Sequence, residues 1–143
     1  MAYSQLFLDY CNLHELKLTS LRKAVLFQLW HSEKPLKAYE LLDKLKMTSE
    51  NLKVATIYRA LDYFVEEGLV HKLESIQSYT LCSKPAKHLP FEVFLVCNNC
   101  HQVDEVHDKS LEALIKNLAL TNCFDLNEGT IELKGFCQNC LQK

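Results

Sequence analysis

The chain has 143 residues, of which 48% are hydrophobic and 24% are charged, and its formal net charge is −2 at pH 7. This composition excludes an intrinsically disordered chain, because the apolar content is sufficient for one ordinary domain or two small ones. No run of about 18 apolar residues is present, and residues 1–4 lack the basic and apolar segments of a signal peptide. We therefore expect a cytoplasmic protein without a membrane partner.

The charge is unevenly distributed along the chain. Nine Lys and Arg stand against four Asp and Glu between Lys17 and Arg59, whereas residues 84–143 hold six against eight. A basic face confined to the first half is compatible with DNA binding even though the whole chain is slightly acidic.

Helical periodicity fills the first half of the chain. Thr19 is predicted as the N-cap of the second helix, and Gly68 is predicted to end the fourth. The four stripes predicted to face a core are Leu6, Phe7, Tyr10 and Leu13; Leu21, Val25 and Leu29; Ala38, Leu41, Leu42 and Leu45; and Ile57, Leu61, Phe64 and Val65.

Two short strands are predicted next, at 69–74 and 78–82, because both segments are rich in Val, Leu, Tyr and Thr. Helices followed by a small hairpin predict a winged helix over residues 1–82. Residues 83–90 contain two prolines and no apolar periodicity, which predicts a hinge.

A second domain is predicted at 91–143. It contains strands at 91–96, 102–106 and 130–137 and a helix after Asp108, with the stripe Leu111, Leu114, Ile115 and Leu118. A lobe of roughly 50 residues is marginal on its own core, so a metal and a second copy of the chain are both expected to stabilise it.

Two Cys-x-x-Cys pairs, Cys97/Cys100 and Cys137/Cys140, predict a structural zinc site in this second domain. Zinc prefers four soft or borderline ligands in a tetrahedron, and two such pairs complete a closed site. A redox role is disfavoured because Gln138 and Asn139, like Asn98 and Asn99, are interpreted as turn residues rather than a helix start. Cys11 and Cys123 are interpreted as buried apolar thiols.

The fourth predicted helix carries polar groups opposite its apolar stripe. Arg59 can form a forked pair of hydrogen bonds to guanine, Thr56 or Tyr63 can contact a thymine methyl group, and Lys53 can reach phosphate. Tyr58 flanks this face. A charged helix face is often only a solvated surface, but its position between a short helix and a hairpin favours DNA recognition.

Residues 54–61, V-A-T-I-Y-R-A-L, resemble the recognition helix of the ferric uptake regulator family. The L-T-S-L-R run at 18–22, the A-Y-E-L-L run at 38–42 and the cysteine pairs are similar to further family motifs, although Ser20 replaces a usual proline. The fold class is therefore predicted as α+β, an N-terminal winged-helix DNA-binding domain plus a small C-terminal α/β dimerisation domain with structural zinc. The segments V-H-K-L-E-S at 70–75 and S-Y-T-L-C at 78–82 are most similar to the zinc uptake regulator branch.

That resemblance implies a homodimeric, zinc-responsive repressor of zinc-uptake genes that binds a palindromic double-stranded DNA operator. It adds Tyr39 to Arg59 as a base-contacting residue. It also implies two Zn2+ per subunit, one of them regulatory, and neither a small organic ligand nor enzymatic activity.

The predicted regulatory ligands are His71, Cys82, His88 and Glu105, which lie on both sides of the predicted hinge. The zinc branch matches His71, Cys82 and Glu105, but His88 lies nine residues before Cys97, and Pro90 stands where the branch has its histidine. The reserve ligands are His101, His107 and Asp104. His14 and His31 are interpreted as surface or capping residues.

Three alternatives remain open. An iron- or peroxide-sensing regulator of the same family is disfavoured because a thiolate at Cys82 suits zinc better, and because residues 87–92 lack the histidine-rich block of those sensors. A zinc hydrolase would need a general base and a substrate pocket, and the sequence identifies neither. A zinc-stabilised protein-interaction module would not bind DNA and so would not need Arg59 as a base-contacting residue.

Overall fold

Four helices and a hairpin form the first part of the chain in the computed structural model, which describes residues 2–83, 85, 91–127 and 129–142. The helices are α1 (Gln5–Leu13), α2 (Ser20–His31), α3 (Ala38–Lys46) and α4 (Val54–Glu66). Strand β1 (Val70–Leu73), a 3-10 turn (Glu74–Ile76) and β2 (Ser78–Leu81) follow. Thr19 is the N-cap of α2, as predicted, and its side-chain oxygen accepts a hydrogen bond from the Arg22 backbone N–H at 3.3 Å.

The core of this first unit confirms the predicted stripe of α3, since Ala38, Leu41, Leu42 and Leu45 are all buried. The stripe predicted for α1 is partly wrong, because Leu6 and Leu13 are 72% and 77% exposed. The helix instead presents Phe7 and Cys11, one turn apart, to the core. The ring of Phe7 packs at 5.1 Å from that of Phe27 and at 5.6 Å from that of Trp30, which fixes this rotation.

In α4 the buried residues are Ile57, Ala60, Leu61 and Phe64. Val65, predicted to face the core, is 39% exposed. Its position one residue beyond Phe64 turns it about 100° away from the side that packs on the bundle.

The hairpin is antiparallel, with Val70 opposite Leu81 and Leu73 opposite Ser78. Leu36, in the connection between α2 and α3, extends this small sheet because its backbone exchanges two hydrogen bonds with Tyr79, at 2.9 and 2.8 Å. After β2, the Cys82 backbone N–H donates to the Leu69 carbonyl at 2.7 Å. The hairpin is therefore anchored to the helical bundle at two points.

The chain divides into two compact units, Met1–Cys82 and Ser83–Lys143. The second contains β3 (Phe91–Cys97), β4 (Val103–Val106), α5 (Lys109–Thr121), β5 (Gly129–Gly135) and α6 (Gln138–Leu141). Strand β3 lies in the centre of a three-stranded sheet, antiparallel to β4 and parallel to β5. A parallel pair requires a long crossover, and the segment containing α5 supplies it.

Among the described residues of the second unit, every buried hydrophobic residue belongs to β3: Phe91, Val93, Phe94, Val96 and Cys97. Helix α5 starts at the predicted N-cap Asp108, but none of its residues is buried. Leu114 and Leu118 are 65% and 64% exposed, whereas Leu111 and Ile115, the other two residues of the predicted stripe, are half-buried. Cys123 is also exposed, which shows that its interpretation as a buried thiol is wrong.

No helix in the described part of the chain has both the length and the apolar character needed to span a bilayer.

Candidate metal centres and nucleic-acid interface

Four cysteines meet at one end of the sheet in the second unit. The Sγ atoms of Cys97, Cys100, Cys137 and Cys140 all lie within 4.8 Å of one another, and those of Cys100 and Cys137 are 3.7 Å apart. A tetrahedral zinc site with Zn–S bonds of about 2.3 Å has S···S edges of about 3.8 Å. The four thiols thus fit a zinc ion with little rearrangement.

The backbone brings the two cysteine pairs together. Cys97 ends β3 and begins a tight turn, which is closed by the Cys97 N–H bonding to Gln102 O at 2.9 Å. The Asn98 N–H donates to Gly135 O at 2.8 Å, which ties this turn to the end of β5. Cys137 is the N-cap of α6, so the interpretation of Gln138 and Asn139 as turn residues is wrong. Residues three apart lie on the same side of a helix, so one helical turn can also bring the two thiols of a Cys-x-x-Cys pair together.

Backbone N–H groups stabilise negative charge in this cluster. The pKa of Cys97 is lowered to about 5, first by a hydrogen bond from the Cys100 backbone and then by those from Cys137 and Asn99. The pKa of Cys137 is raised to about 11, since the effect of the Cys140 backbone N–H is outweighed by the neighbouring thiols and by burial. At this spacing the negative charge on one thiolate makes ionisation of its neighbours less favourable, and a divalent cation would offset that repulsion.

A second set of donors lies on the hairpin of the first unit. His71 is on β1, Cys82 follows β2 and is buried, and their ligand atoms lie within 4.8 Å of each other. An imidazole nitrogen beside a thiol sulfur suits zinc better than iron or manganese.

Tyr10 on α1 contributes to the surroundings of Cys82. Its hydroxyl is buried and has no hydrogen-bond partner among the described residues. Burial, followed by the charges of Cys82 and Cys11, raises its pKa to about 12.

In the second unit, Glu105 is held by two neighbours. The Ser83 backbone N–H and hydroxyl donate to Glu105 Oε2 at 3.1 and 2.8 Å. His107 Nε2 lies 3.2 Å from Glu105 Oε1 and 3.4 Å from Ser83 Oγ. The sequence pattern did not single out Ser83, because its partner is 22 residues away and no periodicity relates the two.

The remaining predicted ligands are less well defined. His101 and Asp104 are exposed, and the His101 backbone N–H donates to the Cys97 carbonyl at 3.0 Å. His88 lies outside the described residues, so its role stays a prediction.

The face of α4 opposite the core carries the residues predicted to contact DNA. Lys53 is the exposed N-cap, Tyr58 and Arg59 are exposed, and Thr56 is half-buried. Tyr39, in the first turn of α3, is 61% exposed. No side chain of the described residues caps the N-terminus of α4.

Tyr63, which was predicted to lie near this face, is engaged within the unit instead. Its hydroxyl accepts a hydrogen bond from the Lys17 N–H at 3.1 Å, and the Arg22 guanidinium lies 3.8 Å from the centre of its ring. Tyr63 therefore contacts the chain before α2 through its hydroxyl and Arg22 through its ring, and its contact with a thymine methyl group stays a prediction.

Comparisons by sequence and by structure both find zinc uptake regulators similar to this chain. The zinc uptake regulation protein of Escherichia coli K12 is 33% identical over 132 residues, which cover 92% of this chain and 77% of that protein. A zinc uptake regulator complexed with zinc and DNA matches with a TM-score of 0.85 and 32% identity, over 96% of this chain and 94% of that one. The holo form of XcZur matches with a TM-score of 0.83 and 32% identity, over 98% of this chain and 100% of that one.

These structural neighbours confirm the predicted fold class, a winged-helix domain followed by a small α/β dimerisation domain. The sequence profile described as "Ferric uptake regulator family" matches residues 14–134, which include the recognition helix, the hairpin and the first cysteine pair. The chain belongs to the ferric uptake regulator family.

Proposed function

We propose that the protein is a zinc-responsive transcriptional repressor, which acts in the cytoplasm as a homodimer and binds a palindromic operator when its regulatory site holds zinc. Its targets would be zinc-uptake genes. The observation that carries this proposal is the similarity over nearly the whole chain to a zinc uptake regulator complexed with zinc and DNA. Ferric uptake regulators are also related, at 29% identity for the protein of Bacillus subtilis.

The protein binds zinc, and we propose two ions per subunit. The first is structural and is held by Cys97, Cys100, Cys137 and Cys140, whose spacing supports a closed four-thiolate site. The second is regulatory, with His71, Cys82, His88 and Glu105 as ligands. The nitrogen and sulfur donors paired on the hairpin support this assignment.

The DNA-binding face would consist of Tyr39, Lys53, Thr56, Tyr58 and Arg59. The N-terminus of α4 is uncapped by any described side chain and carries the positive end of the helix dipole, so phosphate can bind there beside Lys53. Arg59 is exposed and can read guanine in the major groove, and Thr56 and the two tyrosines can contact bases or sugars.

The homodimer accounts for the apolar surface that the second unit leaves exposed. Leu114, Leu118 and Leu120 on α5, Phe124 after it, and Leu133 on β5 are each at least half exposed. Exposed apolar patches of this kind mark protein–protein contacts. A symmetric dimer places two copies of α4 in successive major grooves, which requires a palindromic operator.

Occupancy of the regulatory site would change the population of DNA-competent conformers. Ligands on both sides of residues 83–90 restrict the angles that the two units can adopt, and a protein that spends more time in the competent arrangement binds its operator more tightly.

The decisive experiment measures operator affinity by fluorescence anisotropy at fixed salt, with full zinc loading and after a chelator has removed only the weaker ion. We expect a marked loss of affinity in the second condition. Arg59→Ala should weaken binding about 5- to 150-fold, which corresponds to about 1–3 kcal/mol for a forked base contact.

Lys116→Ala is the matched control, since it removes one positive charge outside the proposed DNA face; because it also breaks the ion pair with Glu112 on α5, the dimeric state of this variant is measured in parallel. Equal operator affinity with and without the weaker zinc would contradict the proposal. Cys82→Ser distinguishes zinc from iron or peroxide sensing, because only a zinc sensor should lose its response when the thiolate becomes a hydroxyl.

A further inference from the structure

The carboxylate of Glu105 is bound asymmetrically. Its side chain is 8% exposed, so its charge requires compensation from nearby donors. Both hydrogen bonds from Ser83, one from its backbone and one from its hydroxyl, end on Oε2. Two hydrogen bonds use both lone pairs of that oxygen. Any metal bound by this carboxylate must therefore bind through Oε1.

His107 completes the arrangement as a donor. The single proton of the Ser83 hydroxyl is directed to Glu105 Oε2, so Ser83 Oγ can only accept a hydrogen bond from His107. Glu105 Oε1, the other neighbour of His107 Nε2, is also an acceptor. Nε2 must therefore carry a hydrogen, so His107 cannot bind a metal through Nε2 while these hydrogen bonds persist.

We propose that Ser83 and His107 are positioning residues of the regulatory metal site. Ser83 fixes the orientation of the Glu105 carboxylate through Oε2, and His107 supports it from the side of Oε1, so that Glu105 binds zinc as a one-oxygen ligand. This inference rests on the proposed function, because it requires Glu105 to be a regulatory ligand. It assigns His107 a supporting role and leaves the fourth ligand to another residue.

The arrangement has an energetic rationale. Hydrogen bonds that already orient a ligand in the metal-free protein lower the entropic cost of metal binding. Loss of such an outer contact typically weakens metal affinity by 10- to 100-fold. Ser83 also follows Cys82 directly in the sequence, so the proposed thiolate ligand and the residue that orients the carboxylate ligand are adjacent in the chain.

The test is a zinc titration of the full-length protein against a chromophoric chelator, with total zinc counted separately. Ser83→Ala should retain the tight structural zinc and bind the second zinc about 10- to 100-fold more weakly. Ser83→Thr keeps the hydroxyl and should bind the second zinc nearly as tightly as the original protein. Ser110→Ala, at an exposed position on α5, is the matched control and should have no effect.

The possible failures are distinguishable. If the unaltered protein takes up only the structural zinc, both the regulatory site and this inference are wrong. If it binds a second zinc and Ser83→Ala binds it equally tightly, only this inference is overturned. Retained structural zinc and an unchanged melting temperature in Ser83→Ala would exclude misfolding as the cause of a loss.

A second measurement needs no metal at the regulatory site. The ring-nitrogen chemical shifts of His107 report whether Nε2 carries a hydrogen. We expect the Nε2–H form in the unaltered protein and a mixture of forms in Glu105→Ala. A predominant Nδ1–H form in the unaltered protein would overturn the proposal.

Discussion

Replacing Cys137 with serine should unfold the second unit while leaving the first one folded. The second unit has a small core, because its described buried hydrophobic residues all lie on β3. Structural zinc sites contribute about 10–16 kcal/mol of binding free energy, whereas a whole domain is stable by only about 5–15 kcal/mol. A zinc ion bound by both Cys100 and Cys137 would close a loop across 37 positions, which by chain entropy alone is worth about 4 kcal/mol. The binding free energy lost with one of the four thiolates should therefore exceed the stability that the small core supplies.

Trp30 makes the prediction measurable, because it is the only tryptophan and lies in the first unit, against Phe7. Cys137→Ser should lose far-ultraviolet circular dichroism from α5 and the three-stranded sheet, while the fluorescence of Trp30 and its urea midpoint stay unchanged. Cys123→Ser is the control, since it is the same chemical change at an exposed cysteine outside the cluster. Full dichroism in Cys137→Ser, or a simultaneous loss of the Trp30 signal, would refute the reasoning.

Three further predictions concern individual side chains. Leu118→Asp should shift the dimer towards monomer in analytical ultracentrifugation while zinc content is retained, because it places a charge on the exposed apolar side of α5. An unchanged dimer would exclude this face as the interface. Thr19→Ala should lower the free energy of unfolding of the first unit by about 1 kcal/mol in urea titrations, because α2 loses the hydrogen bond to its N-cap; no change would mean that the cap is redundant. Tyr10→Phe should not destabilise the protein, since the hydroxyl it removes is buried without a described partner. The raised pKa of Tyr10 means that the unfolded state releases its proton first as pH rises, so the unaltered protein should lose stability between pH 10 and about 12 relative to Tyr10→Phe.

Periodicity predicted the elements well wherever one face of a helix packs on the subunit itself. The stripe of α3 is an example, because Leu41 and Leu45 lie one turn apart on the buried side. It was less reliable for α1, where Leu6 and Phe7 are both apolar and only packing against Phe27 and Trp30 selects Phe7. For α5 the pattern predicted a buried stripe, but Leu118 is 64% exposed, so amphipathicity alone did not show which apolar positions pack within the described part of the subunit.

The candidate sites also divide into those set by a local sequence pattern and those set by contacts between distant residues. Cys-x-x-Cys spacing is local, so the four-cysteine cluster could be predicted from residue types and counts. The contact between Ser83 and Glu105 could not, since it depends on how the chain enters the second unit and joins residues far apart in sequence. Helix α6 was missed for a local reason: a four-residue helix is too short for periodicity to show.

The two backbone hydrogen bonds between Leu36 and Tyr79 restrict movement of the hairpin relative to the helices of the first unit. Strand β2 is fastened on one side to the entrance of α3 through Leu36. At its end, the Cys82 N–H is fastened to Leu69, just beyond α4. A displacement at Cys82 or His71 is therefore transmitted through these hydrogen bonds to α3 and α4. The first unit should therefore move as one rigid body, so that a small displacement of His71 or Cys82 rotates α3 and α4 together and does not merely deform the hairpin.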